Sequence, residues 1–313
     1  MASIISRNIW KLLFSLPVIG WRLKLFKSYR QIPFPPGHYY STTPDVTEIA
    51  QHQEEIFENE DIKGIDLQLE EQQNLLYQLL PFYNEVPYNF SEKGDIKNHK
   101  LRYKVKNAFY RYSDSIFLFC MMRYFKPNKM VEVGSGHSSA IMLDTNELFF
   151  NDRIQITFIE PFPEERLEKV FRLTDHDHSV LLKNKVQETN PQIFEDLNKN
   201  DFLFIDSSHV SKAGSDVNYI FFHILPLLKP GVFIHFHDIF YPFELPRTWV
   251  LKDHWFWNEN YILRAFLMNN PDYEIILFND FLHKKNRMWF EKEMPDCLTD
   301  MGNTGSIWIR KIR

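Results

Sequence analysis

Short apolar runs alternate with longer amphipathic stretches from about residue 115 to the end of the chain. Runs of strand length lie at residues 129–133, 154–159, 180–186, 202–205, 232–236, 273–278 and 306–312. Helices are predicted from the fourth strand through residue 228 and at residues 116–125, 139–150, 164–173 and 258–268. Strands that alternate with helices predict a parallel sheet covered on both faces.

The last two predicted strands, residues 273–278 and 306–312, differ because no obvious helix separates them. This pattern favours an antiparallel edge on an otherwise parallel sheet. The predicted fold is therefore α/β, with a Rossmann-like doubly wound sheet of seven strands. The sheet is expected to be mostly parallel, with one antiparallel edge strand.

The first 113 residues lack this alternation. Apolar residues recur at helical spacing over residues 66–80, and Pro81 is expected to interrupt regular structure there. We therefore predict an N-terminal helical cap at residues 31–113, in front of a Rossmann-like domain at residues 114–313.

Residues 1–30 form a separate predicted segment that mixes apolar and basic residues. The apolar stretch at residues 9–21 is broken by Lys11 and Pro17, and it is too short to span a bilayer as a helix. A helix that docks on the protein is favoured. The alternative is an interfacial anchor, in which residues 1–29 would make peripheral membrane contact.

Composition narrows the partners and the compartment. The net charge is −5 and no long basic tract occurs, so no nucleic-acid partner is expected. The two cysteines, Cys120 and Cys297, lack zinc-site spacing and favour a reducing compartment. We predict a cytoplasmic protein, and the oligomeric state does not follow from the sequence.

The end of the first predicted strand carries the clearest chemistry. Gly134-Ser135-Gly136 lets the backbone approach a ligand closely, and the helix that begins next can present free N–H groups to it. Glu160 ends the second strand, where a carboxylate can accept hydrogen bonds from ribose hydroxyls. Nicotinamide dehydrogenases share this pattern, but Ser138 or Ser139 stands here in place of their third glycine.

Four segments resemble motifs of the class I S-adenosylmethionine-dependent methyltransferases. They occur in the family's order and spacing at residues 131–139, 158–161, 204–209 and 228–232. The resemblance implies S-adenosyl-L-methionine as the cofactor, with its methionine part beside Gly134, Ser135, Gly136 and Ser138. Glu132 would orient it through its amino group or bound water. The alternative for Glu132 is a structural hydrogen bond to the loop.

The same resemblance implies three further cofactor contacts. Glu160 would hold the ribose, and Gln187, after the third strand, would lie beside the adenine. Asp206, at the end of the fourth strand, would sit below the sulfonium.

The pattern Asp206-x-x-His209, with an acid after the fifth strand, resembles metal-dependent O-methyltransferases that act on sugars of natural products. The resemblance implies that His209 is the base and that Asp206 is also catalytic, with helix capping as the alternative role of His209. His237 stands where that family has the first of two acids. The predicted metal ligands are therefore Asp206, His237 and Asp238, and magnesium or a metal-free site both stay open.

The predicted acceptor is a small molecule with a hydroxyl group. A carbohydrate is one candidate, because aromatic residues beyond the fifth strand can stack on sugar rings, although such residues more often fill cores. They are Trp249, His254, Trp255 and Trp257.

Two other functions stay open. Residues 136–140 loosely resemble a nucleophile elbow, which would make the chain a hydrolase that uses Ser138, with Asp238 and His254 as partners. The other alternative is a scaffold that binds S-adenosylmethionine without turnover.

Overall fold

The computed structural model describes residues 33–90 and 101–313. Seven strands form one sheet in the order β3-β2-β1-β4-β5-β7-β6. The strands are β1 (Lys129–Val133), β2 (Gln155–Ile159), β3 (Ser179–Leu182), β4 (Phe202–Ile205), β5 (Phe233–His237), β6 (Tyr273–Phe278) and β7 (Ser306–Lys311). Strands β1 to β5 are parallel to one another, and β7 is antiparallel to both β5 and β6. The predicted seven-stranded, mostly parallel sheet is confirmed, and its antiparallel strand lies one position in from the edge.

Helices cover both faces of the sheet. Ahead of it in the chain are α1 (Val46–Gln51), α2 (Gln53–Phe57), α3 (Leu69–Tyr83) and α4 (Ser113–Phe125). The helices between strands are α5 (His137–Thr145), α6 (Gln192–Glu195), α7 (Asp216–Tyr219), α8 (Arg247–Leu251), α9 (Glu259–Leu267), α10 (Asn279–Lys285) and α11 (Arg287–Glu293). Helices α5 and α7 each continue into a π-helical turn, at Asn146–Phe150 and Ile220–Ile224.

The central strand β4 shows how the core is divided. All four of its side chains are buried, as expected for a parallel strand covered on both faces. Phe202 and Phe204 pack into the apolar cluster on one face, and Leu203 and Ile205 pack into the cluster on the other. The period of two in a strand therefore places this run of four apolar residues in two separate cores.

The described residues before 113 contain helices α1, α2 and α3, in agreement with the predicted helical layer, but Pro81 lies inside α3 and does not end it. The buried residues Leu75, Leu76 and Leu79 hold this helix against the core, which offsets the backbone hydrogen bond that proline removes. The Gln72 carboxamide accepts a hydrogen bond of 2.7 Å from the backbone N–H of Phe278 in β6. Helix α3 therefore belongs to a layer packed against the sheet. The proposed boundary at residue 113 stays a prediction.

Two predictions about helices were wrong. Helices α10 and α11 lie between β6 and β7, where none was expected, because Phe281, Leu282 and Phe290 give them a buried side. Residues 164–173 contain the 3₁₀ turn at Leu167–Lys169 and the first residue of a second one, Leu173–Asp177, in place of an α-helix. Leu167 is the only buried residue of that stretch, so no apolar stripe holds a longer helix against the sheet.

The predictions for residues 1–30 lie outside the described residues. Within residues 33–90 and 101–313, no helix is long and apolar enough to cross a membrane. Cys120 and Cys297 are both buried as free thiols.

Candidate functional site

A cavity of about 570 Å³ opens at the carboxyl ends of β1, β2 and β4. It is lined by six of the eight residues predicted to contact the cofactor: Gly134, Ser135, Gly136, Glu160, Gln187 and Asp206. The other two, Glu132 and Ser138, are buried beneath it. Ligands of open α/β sheets bind at this edge, so the structure brings most of the predicted residues together where a ligand is expected.

Gly134 is required by the close approach of β1 and β4. Its φ of 79° is left-handed, and a Cβ at this position would lie 1.8 Å from the backbone oxygen of Asp206. The Asp206 backbone N–H also donates to the Val133 oxygen at 2.9 Å. These contacts fix Asp206 beside the glycine loop, so that both border the same cavity.

Glu132 supports this loop from below. Its side chain is fully buried, and the hydroxyls of Ser138 and Ser139 donate to its two carboxylate oxygens, Ser138 at 2.5 Å. Burial raises the pKa of Glu132 to about 8, although the serine hydrogen bonds counteract this. The geometry agrees with the structural alternative, and a direct cofactor contact by Glu132 or Ser138 stays a prediction.

Glu160 lies at the mouth of the cavity, just after β2. One carboxylate oxygen accepts from the Ser135 backbone N–H at 3.1 Å, and the other accepts from the Phe162 N–H at 2.8 Å. A carboxylate oxygen can accept more than one hydrogen bond, so both remain able to bind ligand hydroxyls. Across the cavity, the Gln187 amide donates to the Gly214 oxygen at 3.0 Å.

Several lining residues were missed by sequence reasoning. Phe109 and Tyr110 come from the loop ahead of α4, where no motif marks them. Phe109 and Phe162 are 54% and 61% exposed, and the guanidinium of Arg166 lies 4.2 Å from the Phe109 ring centre. The mouth of the cavity therefore has an aromatic and cationic rim that no sequence motif predicts.

The cavity has free polar groups that suit a polar ligand. The buried hydroxyl of Ser207 lines it and has no hydrogen-bond partner among the described residues. The same holds for Nδ1 of His137, the first residue of α5, a helix whose N-terminal N–H groups are available to a ligand. The volume of the cavity, about 570 Å³, lies in the range of small-molecule and cofactor sites. The site therefore fits a cofactor with a ribose and further polar groups.

A second group of polar residues lies at the ends of β4 and β5. The Nε2 atom of His209 is 3.3 Å from Asp206 Oδ1 and 3.5 Å from Asp238 Oδ2. Its Nδ1 atom is 2.9 Å from Glu259 Oε2, a residue that sequence reasoning missed. His209 and Asp238 have left-handed φ values of 58° and 55°, which are uncommon for residues other than glycine and are often found at functional sites.

These contacts determine the charge of His209. Burial alone lowers its pKa, but the hydrogen bonds with Asp206 and Glu259 outweigh burial, and the pKa lies well above the ordinary value of 6.5. Burial raises the pKa of Asp206, yet His237 and His209 more than offset this, and the pKa is lowered. At neutral pH the centre therefore holds an imidazolium beside a carboxylate.

The structure changes the candidate metal set. Asp206, His209 and Asp238 each offer a ligand atom within 4.8 Å of the others, whereas His237 is not part of this group. The His237 ring lies 4.9 Å from that of Tyr110, and its Nε2 is 3.6 Å from Asp238 Oδ1, so its role as a metal ligand stays a prediction. A divalent ion fits the assembled set only if His209 loses its proton and uses Nε2 as a ligand. The same nitrogen cannot then act as a base.

Comparisons with known proteins agree with this architecture. Residues 131–239 match a family model described as a methyltransferase domain. An uncharacterized protein of Archaeoglobus fulgidus is 34% identical over 170 residues, which span 53% of this chain and 75% of that protein.

Two solved structures are more distantly similar. The O-methyltransferase TomG from Streptomyces achromogenes is 12% identical, with a TM-score of 0.41, over 63% of this chain and 78% of that chain. The Podospora anserina methyltransferase PaMTH1 is 14% identical, with a TM-score of 0.41, over 85% of this chain and 95% of that chain. Similarity at this level carries no residue role to this protein.

Proposed function

We propose that this chain is a class I S-adenosylmethionine-dependent methyltransferase, because residues 131–239 match a family model described as a methyltransferase domain. It would methylate a hydroxyl group of a sugar or another small-molecule acceptor. The observation that carries the proposal is the position of His209 between Asp206 and Asp238, directly behind the cofactor cavity. A hydroxyl acceptor must lose its proton during methyl transfer, and an imidazole at this place can take it.

The residues that line the cavity are proposed to hold the cofactor. Gly134, Ser135 and Gly136 would contact its methionine part, and Glu160 would accept hydrogen bonds from its ribose. Gln187 would lie beside the adenine, and Asp206 would lie below the sulfonium. The cofactor supplies a methyl group activated by positive charge, so the protein mainly has to align the acceptor with it.

The proposed base step depends on the protonation of His209. Because hydrogen bonds to carboxylates raise its pKa, His209 must first lose its proton before Nε2 can accept one from the acceptor. The side chains of Asp206 and Asp238 are 27% and 15% exposed, whereas that of His209 is 8% exposed. An acceptor would therefore approach His209 past these two acids.

A metal-free reaction is proposed because His209 occupies the position between the two acids. A divalent ion would be held by Asp206, His209 and Asp238, whose ligand atoms lie within 4.8 Å of one another. When bound, such an ion would stabilise negative charge on the acceptor oxygen. That arrangement would remove His209 as the base, so the two accounts exclude each other.

The aromatic surface beside His209 supports a ring-shaped acceptor. The Trp257 ring centre lies 4.7 Å from that of His209, and Trp255 stacks on Trp257 at 4.9 Å. Trp255 is 41% exposed, so this surface extends from the proposed base to solvent. Such a surface suits a sugar or an aromatic ring. A cytoplasmic location and the absence of a nucleic-acid partner stay predictions.

Binding and turnover experiments on the full chain test the proposal. Calorimetry should show binding of S-adenosylhomocysteine and weaker or no binding of NAD. A panel of methyl glycosides and catechols, incubated with S-adenosylmethionine, should yield an O-methylated product detected by mass spectrometry. Tight NAD binding without an S-adenosylhomocysteine signal would overturn the cofactor assignment. Binding without methylation of any acceptor would favour the scaffold alternative.

The hydrolase alternative makes a different prediction. It needs a free Ser138 hydroxyl, but this hydroxyl donates to Glu132 and is buried beneath the cavity. Labelling of Ser138 by a fluorophosphonate probe would revive that alternative.

A further inference from the structure

A buried carboxylate lies behind the proposed base. Glu259 is the first residue of α9, and its Oε2 accepts a hydrogen bond from His209 Nδ1 at 2.9 Å. The two side chains are 2% and 8% exposed, so solvent does not compete for this bond. Hydrogen bonds between ionised partners are shorter and stronger than neutral ones, and this distance agrees with such a bond.

The backbone of α9 fixes the same loop. The backbone N–H groups of Asn258 and Glu259 donate to the His209 oxygen at 3.1 and 3.2 Å. The Asn258 side chain pairs with the backbone of Ser211, accepting at 2.6 Å and donating at 3.2 Å. Trp257 packs against the imidazole ring. Three consecutive residues at the start of α9 therefore hold His209 by its backbone, its ring face and its Nδ1 atom.

Glu259 has no other visible purpose among the described residues. Its only side-chain hydrogen bond there is the one to His209, and its Oε1 atom has no partner within residues 33–90 and 101–313. Burying a carboxylate is costly, and an acid placed only for stability is expected to use both oxygens. By contrast, Asp201 accepts three backbone hydrogen bonds with its two oxygens.

The chemistry of imidazole gives this contact a function. A neutral imidazole carries one N–H, and a carboxylate next to Nδ1 selects the form with the hydrogen on that nitrogen. The lone pair is then on Nε2, which faces Asp206 and Asp238. We propose that Glu259 is a positioning residue that fixes this tautomer and ring orientation of His209. The proposal rests on the proposed function, in which Nε2 is the base.

Nuclear magnetic resonance tests the tautomer without an acceptor. The full chain, labelled with ¹⁵N-histidine, saturated with S-adenosylhomocysteine and titrated to a pH above the pKa of His209, should show neutral His209 with its hydrogen on Nδ1. In Glu259→Ala the two tautomers should mix, whereas Glu259→Gln should keep the Nδ1–H form because its amide oxygen can still accept. Asp280→Asn is a matched control, because Asp280 is also a buried acid but pairs with Lys284. It should leave the His209 signals unchanged.

Kinetics with the best acceptor of the panel completes the test. Glu259→Ala should lower kcat by roughly 10–100-fold, the usual cost of removing a group that orients a functional histidine. KM and S-adenosylhomocysteine affinity should stay close to wild type, and Glu259→Asp or Glu259→Gln should recover part of kcat. An unchanged tautomer with an unchanged kcat in Glu259→Ala would overturn the proposal. If Glu259→Ala does not fold, Glu259→Met replaces it, because methionine keeps most of the side-chain volume but offers no carboxylate to Nδ1–H. An unchanged Nδ1–H form in Glu259→Met would overturn the proposal equally.

The failure of the proposed function would look different. If His209→Ala keeps full turnover, His209 is not the base, whatever its tautomer. If no acceptor is methylated, the resonance experiment still decides whether Glu259 orients His209.

Discussion

Acidic residues serve the two halves of this site in opposite ways. In the half formed by β1 and β2, Glu132 and Glu160 accept hydrogen bonds only from hydroxyls and backbone N–H groups. In the half formed by β4 and β5, Asp206 and Asp238 lie beside an imidazole. The first arrangement supports the glycine loop and the mouth of the cavity through hydrogen bonds. The second holds a proton on His209, the group that would take a proton from the acceptor in the proposed reaction.

The shifts in pKa follow from this difference. Burial without a cationic partner raises the pKa of Glu132 to about 8. The same desolvation acts on Asp206, but His237 and His209 reverse it and lower the pKa. Asp238 lies beside the same two histidines, yet burial still raises its pKa. The balance between burial and the neighbouring histidines therefore differs from acid to acid in the β4–β5 half. Changes in the β4–β5 half should therefore affect chemistry, and changes in the β1–β2 half should affect binding or stability.

Removing the imidazole should have the largest effect. His209→Ala should lower turnover by roughly 10²–10⁴, the usual range for a lost general base, with S-adenosylhomocysteine affinity close to wild type. Calorimetry and product formation on the same preparation separate the two quantities. His223→Ala is the control, since His223 is a surface histidine on the π-helical turn that follows α7. It should change neither quantity.

The opposite result would move the chemistry to a metal. If chelation abolishes turnover while His209→Ala stays mostly active, the base is not His209. The β4–β5 half would then use its acids to hold an ion.

In the β1–β2 half, Glu160→Ala should weaken S-adenosylhomocysteine binding and leave the methyl-transfer step unchanged. The loss of hydrogen bonds to a ribose should cost about 1–3 kcal/mol of S-adenosylhomocysteine affinity. Turnover at saturating cofactor should change little. Glu168→Ala, which removes an exposed acid that pairs with Lys183, should leave affinity unchanged. A Glu160→Ala variant that binds normally but turns over slowly would contradict the division between the two halves.

The pH profile is the next measurement. His209 has a pKa well above 6.5, so it is protonated at neutral pH and becomes a base only as the pH rises. Activity at saturating substrates should increase about tenfold per pH unit below that pKa and then level off. The residual activity of His209→Ala should lack this rise. A wild-type profile that is flat from pH 6.5 upward would show that His209 loses no proton during the reaction.

The β1–β2 half was predictable from sequence, and the reason is local. Gly134 and Glu160 follow their strands directly, and the ends of parallel strands meet at one edge of the sheet. Their positions along the chain therefore predict their positions in space. The strand pattern predicted the sheet for the same reason.

The β4–β5 half was only partly predictable. Glu259 lies 50 residues beyond His209 and reaches it because α9 docks on the loop after β4, a tertiary contact with no periodic signature. His237 was predicted as a ligand from its place after β5, and the structure makes it the last residue of that strand, with its ring beside that of Tyr110. Its role as a ligand stays a prediction.

The smallest expected effect tests the support beneath the loop. Glu132 has a pKa of about 8 in the folded chain, above the ordinary value of 4.5. Between these values the folded state holds a proton that the unfolded state has lost, so this group makes the protein less stable as pH rises through that window. Glu132→Gln stays neutral and can still bond both serine hydroxyls. Its stability relative to wild type should improve by roughly 1 kcal/mol from pH 5 to pH 8, measured by urea unfolding, because relaxation reduces the full linkage effect. Glu291→Gln, which changes an exposed acid paired with Arg287, should show no such trend.

The S-adenosylhomocysteine affinity of Glu132→Gln should change less than a few-fold if Glu132 only supports the loop. A large loss of affinity at unchanged stability would instead mean that Glu132 contacts the cofactor, and the β1–β2 half would then bind its ligand through an acid that the free protein keeps covered.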